Sequence, residues 1–112
     1  MLNAEELKII INEAKTAANK ASREYLDVNL EGKDNYPCGF AWVNIYGVKG
    51  NTKQGRAFKE AGIEKDYSGA YSIWNPGNVN VQNVDVKEAG ASAAADVFTS
   101  YGFKAYSGSR LD

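Results

Sequence analysis

No histidine occurs in this chain of 112 residues, and it holds one cysteine, one methionine and two prolines. Each shortage removes a class of chemistry. Without imidazole there is no Ser-His-Asp triad, no Cys-His dyad and no histidine general base. Histidine-ligated zinc is excluded, and the lone Cys38 builds neither a four-thiolate site nor an intrachain disulfide. We therefore expect no metal, no cofactor and no catalytic set. A single cysteine fits a reducing compartment. The opening Met1-Leu2-Asn3-Ala4-Glu5-Glu6 carries acids where a secretory leader carries bases. No apolar run approaches the ~20 residues of a membrane span. A cytoplasmic protein with no membrane partner is expected.

An excess of charge of either sign is also missing. Thirteen bases stand against fourteen acids, a formal charge of −1. Dedicated nucleic-acid binders need a strong basic excess, so nucleic acid is not an expected partner. The balance is uneven along the chain, however. Residues 36–62 carry Lys49, Lys53, Arg56 and Lys59 against Glu60, which makes the middle third the natural dock for an anion. What remains is ordinary globular material: 44% hydrophobic and 24% charged residues, with no linker or internal repeat. A chain of this length makes a single domain over residues 1–112.

Periodicity predicts the elements. Leu7, Ile10, Ile11, Ala14, Ala17, Ala18, Ala21 and Tyr25 recur at spacings of three and four, marking a helix over 4–26 capped by Asn3. Residues 27–36 read as a polar loop. Residues 38–46 alternate as a strand, with Ala41, Val43 and Ile45 on the core side and Phe40, Trp42, Asn44 and Tyr46 opposite. That aromatic face is either a binding surface or covered by the first helix. Asn51 and Gln54 have the form of a capping box for a short second helix ending at Gly62. Residues 69–74 read as a strand. Asn75-Pro76-Gly77-Asn78 has the type II turn signature, and 79–83 alternate as a hairpin partner, with an ordered loop as the alternative. Asp85 and Glu88 cap a third helix whose face holds Val86, Ala89, Ala93, Val97 and Tyr101. The first half of 103–112 alternates as a last strand. The class expected is α+β: a two-layer sandwich with an N-terminal helix before a β-α-β-β-α-β, ferredoxin-like arrangement. The alternative is a three-stranded α+β sandwich.

Four stretches carry candidate sites. Gly50 and Gly55 have phosphate-loop spacing, but Arg56 and Ala57 stand where the lysine and the magnesium-holding hydroxyl belong. What survives is a helix start flanked by Lys49, Lys53 and Arg56, able to meet a phosphate or simply to be solvated. Trp74 and Asn75 at the turn suit a planar polar ligand, although asparagine is common in turns for backbone reasons. Ser107-Gly108-Ser109-Arg110 can wrap an anion, or be a polar tail. Trp42 and Asn44 face away from the aliphatic side of their strand. With Lys87, the expected contacts are Trp42, Asn44, Arg56, Trp74, Asn75, Lys87, Ser107, Ser109 and Arg110.

Tyr36-Pro37-Cys38-Gly39-Phe40-Ala41-Trp42-Val43, Trp74-Asn75-Pro76, Asn83-Val84-Asp85-Val86-Lys87-Glu88-Ala89-Gly90 and the ending Ser107-Gly108-Ser109-Arg110-Leu111-Asp112 together resemble a set of small bacteriophage proteins. The resemblance covers residues 36–112 and supplies no catalytic residues. It implies a phage accessory protein working in the host cytoplasm. The expected function is non-enzymatic: sequestering an anionic, phosphate-bearing small molecule, or blocking a host defence protein. A structural module that forms homo-oligomers through residues 4–26, and a small histidine-independent enzyme, are the alternatives.

Overall fold

The computed structural model describes residues 3–34 and 36–112. Met1, Leu2 and Asn35, the last within the expected 27–36 loop, lie outside the described residues. Helix α1 spans Ala4–Asn29, capped by Asn3, whose side chain accepts the Glu6 N–H at 2.8 Å. It runs past the expected end at 26 and stops where the Gly32 N–H returns to the Leu26 carbonyl at 2.8 Å. Strand β1 covers Gly39–Tyr46, α2 Lys53–Glu60, β2 Glu64–Lys65, β3 Tyr71–Trp74, α3 Val84–Ser100 and β4 Lys104–Leu111. The strands form one four-stranded antiparallel sheet in the order β2-β3-β1-β4. Three helices pack on one face of it, giving two layers. No described helix is long and apolar enough to cross a membrane.

The core lies where the helix layer meets the sheet. Ala41, Val43 and Ile45 of β1, Tyr71 and Ile73 of β3 and Ala105 of β4 turn their side chains inward, as period-two alternation requires. Phe58 of α2 stacks on Tyr71 at 4.9 Å and 17° and meets the edge of Phe103 at 6.0 Å. Leu7, Ile10, Ile11, Ala14 and Ala18 of α1 close the cluster with Ala94, Ala95 and Phe98 of α3. α1 and α3 touch through small residues, and the Ser22 hydroxyl donates to the Val86 carbonyl at 2.8 Å in a fully buried setting. Ala14 and Ala18, on the face that the alternative of a homo-oligomer through residues 4–26 uses, pack with Ala94, Ala95 and Phe98 of α3 in the same chain.

Several expectations are corrected. Residues 79–82 form no strand, so the 69–74/79–83 hairpin does not exist. Nor is the sheet three-stranded: the hairpin is β2 with β3, joined across 66–70. There one Asp66 carboxylate oxygen accepts the Ser68 N–H at 2.9 Å, the Ser68 hydroxyl at 2.6 Å and the Ala70 N–H at 3.1 Å. The Ser68 hydroxyl bond, ahead of the backbone bonds, holds that carboxyl below its ordinary value. The 75–78 turn forms, with the Asn78 N–H on the Asn75 carbonyl at 2.8 Å. It is not type II, because Gly77 has no positive φ while Asn75 (45°) and Asn78 (51°) do. Gly77 is instead needed for approach: a Cβ there would sit 3.0 Å from the Ala18 carbonyl. The turn is thus pinned to α1, with Asn19 donating to the Gly77 carbonyl at 2.7 Å. The following chain ties back to Asp34, which accepts the N–H groups of Gln82 and Asn83 at 2.8 and 2.9 Å.

Helix starts shift by one or two residues. Thr52, not Asn51, caps α2 by accepting the Gly55 N–H at 3.1 Å, because Lys49–Thr52 is closed as a turn. Asn83, not Asp85, caps α3, accepting the Val86 N–H at 3.0 Å. The buried face of α3 is Val84, Val86, Lys87, Gly90, Ala91, Ala94, Ala95 and Phe98; Tyr101, expected inside, is exposed. β4 runs through to Leu111 rather than fraying after its first half.

Candidate functional site

The second face of the sheet carries no helix. Alternation in β1 sets Phe40, Trp42, Asn44 and Tyr46 there. Register brings Trp74 and Ser72 of β3 beside Trp42 and Asn44, and Arg110, Gly108, Tyr106 and Lys104 of β4 beside Phe40, Trp42, Asn44 and Tyr46. The result is an open aromatic platform. Trp42 and Trp74 lie 5.0 Å apart at 34°, and Phe40 meets Trp74 edge-on at 6.1 Å. Tyr46 and Tyr106 form a second pair at 6.0 Å. Trp74 is 54% exposed and Tyr106 64%, so these rings present faces to solvent rather than filling a core.

Two features make the platform possible. Gly108 is the floor under Trp42: a Cβ there would sit 2.6 Å from the indole Nε1, so only glycine lets the indole lie flat across β4. Arg110 sits 5.4 Å from the Phe40 ring and 5.8 Å from the Trp74 ring, a cation–π arrangement that holds the guanidinium beside both. Lys87 reaches the same corner from α3. Its ammonium donates to the Gly39 carbonyl at 2.9 Å and stands 5.3 Å from the Phe40 ring. At the platform's centre the Asn44 amide donates to the Tyr46 hydroxyl at 3.3 Å. Its Oδ1 is buried without a hydrogen-bond partner, a cost of about 1–3 kcal/mol. Two clefts border the platform, one beyond the Tyr46 end of β1 and one along the β2–β3 side. One, of about 480 Å³, includes Tyr46, Lys104, Tyr101 and Glu6; the other, of about 290 Å³, includes Glu64, Asp66, Ser72 and Trp74. In the first, hydrogen bonding to Glu13 pushes the Tyr101 hydroxyl above its ordinary value.

Of the expected contacts, Trp42, Asn44, Trp74 and Arg110 come together on this face, with Lys87 at its margin. The others do not join them. Asn75 closes its own turn, donating to the Val79 carbonyl at 2.9 Å. Arg56 lies on α2 in the helix layer and donates to the Asn51 carbonyl at 3.3 Å. Gly55 answers close packing, since a Cβ would meet Gly50 Cα at 2.8 Å. Ser107 and Ser109 point to the helix side of β4, and Ser109 donates to Glu88 at 2.5 Å. Because 107–110 is extended, side chains alternate between faces and cannot wrap one anion. Phe40, Tyr46, Tyr106 and Gly108 were missed as site residues; period-two reading continued from Lys104 to Arg110 finds the last two. Among the described residues, no group of three or more cysteine or carboxylate side chains is placed to hold a metal. Comparison with protein-family models, with curated proteins and with solved structures found no match to this chain.

Proposed function

We propose that this chain is a non-enzymatic binding protein whose open sheet face takes a planar, phosphate-bearing small molecule of nucleotide type. The observation that carries this reading is the juxtaposition of the Trp42–Trp74 pair with the Arg110 guanidinium on one exposed surface. Flat aromatic faces stack planar rings, and an arginine beside them supplies paired donors to phosphate. Two stacked rings and one charge-assisted contact are worth about 4–8 kcal/mol, a dissociation constant between about 1 mM and 1 μM. The near-neutral chain favours a small ligand over a nucleic-acid strand. We read β1-α2-β2-β3-α3-β4 as a ferredoxin-like split βαβ unit with α1 added, which the order β2-β3-β1-β4 supports. The resemblance to small phage proteins supplies the setting: sequestration of a host-made ligand in the host cytoplasm.

The test is titration of nucleoside monophosphates against tryptophan emission, with the bare nucleosides and inorganic phosphate as controls. The reading expects saturable quenching by a nucleoside monophosphate, weaker quenching by its nucleoside, and about tenfold weaker binding in Arg110→Ala. Absence of saturable quenching, or an Arg110→Ala variant that binds as tightly as wild type, overturns it. A second reading, blockade of a host protein through the same face, is favoured by its exposed Trp, Tyr and Arg content, the residue types that anchor protein interfaces.

A further inference from the structure

We propose that the outer edge of β4 pairs with β4 of a second copy, joining two sheets of this chain into one continuous sheet. This inference does not rest on the ligand reading. β4 is the last strand in the order β2-β3-β1-β4, and it is eight residues long without proline or bulge. The opposite edge, β2, is two residues long. Long, flat, unblocked edges are templates for strand addition.

The ladder says which groups are free. The Asp112 N–H donates to the Cys38 carbonyl at 3.0 Å, and the Asn75 N–H donates to the Ala41 carbonyl at 2.9 Å. Even-numbered residues of β1 therefore bond toward β4 and odd-numbered ones toward β3. By antiparallel alternation, Lys104, Tyr106, Gly108 and Arg110 spend their backbone groups on β1. Ala105, Ser107, Ser109 and Leu111 turn theirs outward.

Charge selects the register. An antiparallel pair with its two-fold axis at Gly108 sets Ser107 against Ser109 and Ala105 against Leu111 of the second copy, so that outward donors meet outward acceptors. On the open face it sets Lys104 against Asp112 of the second copy, an opposite-charge pair that occurs twice, and keeps like charges apart by placing Tyr106 opposite Arg110. A register with its axis at Ser107 instead sets Lys104 against Arg110. A register with its axis at Ser109 breaks the Lys104–Asp112 match. The axis at Gly108 also leaves room, since Gly108 has no side chain and Trp42 already covers it. The two aromatic platforms then lie side by side on one surface.

The experiment measures the dimer dissociation constant of the full chain, kept reduced, by analytical ultracentrifugation. Wild type is expected to dimerise at micromolar concentration. Ser107→Pro removes an N–H that β1 does not use, so it is expected to give a monomer with native near-UV circular dichroism. Lys104→Asp, a surface change that leaves the core intact, is expected to weaken the dimer roughly tenfold or more, because two like-charge pairs replace two attractive ones. Lys104→Asp/Asp112→Lys restores attraction and is expected to return the constant to within about threefold of wild type. A wild type that stays monomeric to millimolar concentration overturns the proposal, as does a folded Ser107→Pro dimer or a charge swap that fails to restore pairing.

Discussion

Gly90 sits in the middle of α3, where helix propensity alone favours alanine by about 1 kcal/mol. The structure reverses that expectation. A Cβ at Gly90 would run into Ser22 Oγ and come within 3.0 Å of the Ala18 carbonyl oxygen on α1. Neither neighbour gives way freely. Ala18 presents helix backbone, and Ser22 is held by its 2.8 Å bond to the Val86 carbonyl. Overpacking of this kind costs about 1–3 kcal/mol, and the loss of the Ser22 bond adds about 1 kcal/mol. Set against the propensity gain, Gly90→Ala is expected to destabilise the chain by about 1–3 kcal/mol, a fall in Tm of roughly 4 °C or more. Urea unfolding followed by tryptophan emission measures it cleanly, because Trp42 and Trp74 lie on the far face of the sheet and report only global unfolding. The slope should be unchanged and the midpoint lower. Adding Ser22→Ala removes the colliding oxygen, so the double variant should lose less than the sum of the two singles. A midpoint for Gly90→Ala at or above wild type would refute close α1–α3 contact as the reason for this glycine.

Asn83→Ala deletes the α3 cap and leaves the buried Val86 N–H without its 3.0 Å partner and the part-buried Tyr36 carbonyl without its 3.2 Å one. A loss of about 2–3 kcal/mol is expected in thermal melts, and a loss below about 0.5 kcal/mol contradicts the capping role. The Asp66 carboxyl is held below its ordinary value of 3.8 in the fold, so the stability it contributes is present above that pH and disappears as pH falls through the lowered folded value. Asp66→Ala should therefore lower the urea midpoint at neutral pH and converge on wild type well below pH 3.8; a gap that does not change with pH refutes the assignment. Gly108→Val forces Trp42 off β4 and breaks its 5.0 Å contact with Trp74. Near-UV circular dichroism should lose the coupled indole signal, at a cost of about 1–3 kcal/mol, whereas an unchanged spectrum means that the indole does not rest on this glycine.

The elements with strong periodicity are legible in the sequence. α1, β1 and the inward set Ala41, Val43 and Ile45 follow from spacing alone, as does the opposition of Phe40, Trp42, Asn44 and Tyr46. What failed has physical reasons. β2 is two exposed residues, Glu64 and Lys65, and two residues have no period to read. Val79, Val81 and their asparagines alternate like a strand, but Gln82 and Asn83 donate to Asp34, nearly fifty residues away in the chain, and that tether is invisible locally. α3 is rich in alanine, so its inward face is set by partners such as Ser22 rather than by its own pattern. Ser107-Gly108-Ser109-Arg110 reads as an anion loop because serine and glycine favour loops; pairing with β1 along its whole length overrides that preference. The candidate site was half legible for the same reason: Trp42, Asn44, Trp74 and Arg110 stood out, while an anion loop at 107–110 puts Ser107 and Ser109 beside Arg110, and the strand that forms there sends them to the opposite face and sets Tyr106 and Gly108 on the platform.

We propose that the open sheet face, not the helix layer, is the working surface. Two-dimensional proton–nitrogen NMR tests it directly, because the two tryptophans of the chain give two indole N–H signals. Addition of a nucleoside monophosphate is expected to move both indole signals together with the backbone signals of Phe40, Asn44, Tyr106 and Arg110, and to leave the α1 signals in place. Shifts confined to the 49–59 segment and α1, with both indoles unmoved, would place the ligand on the helix layer instead.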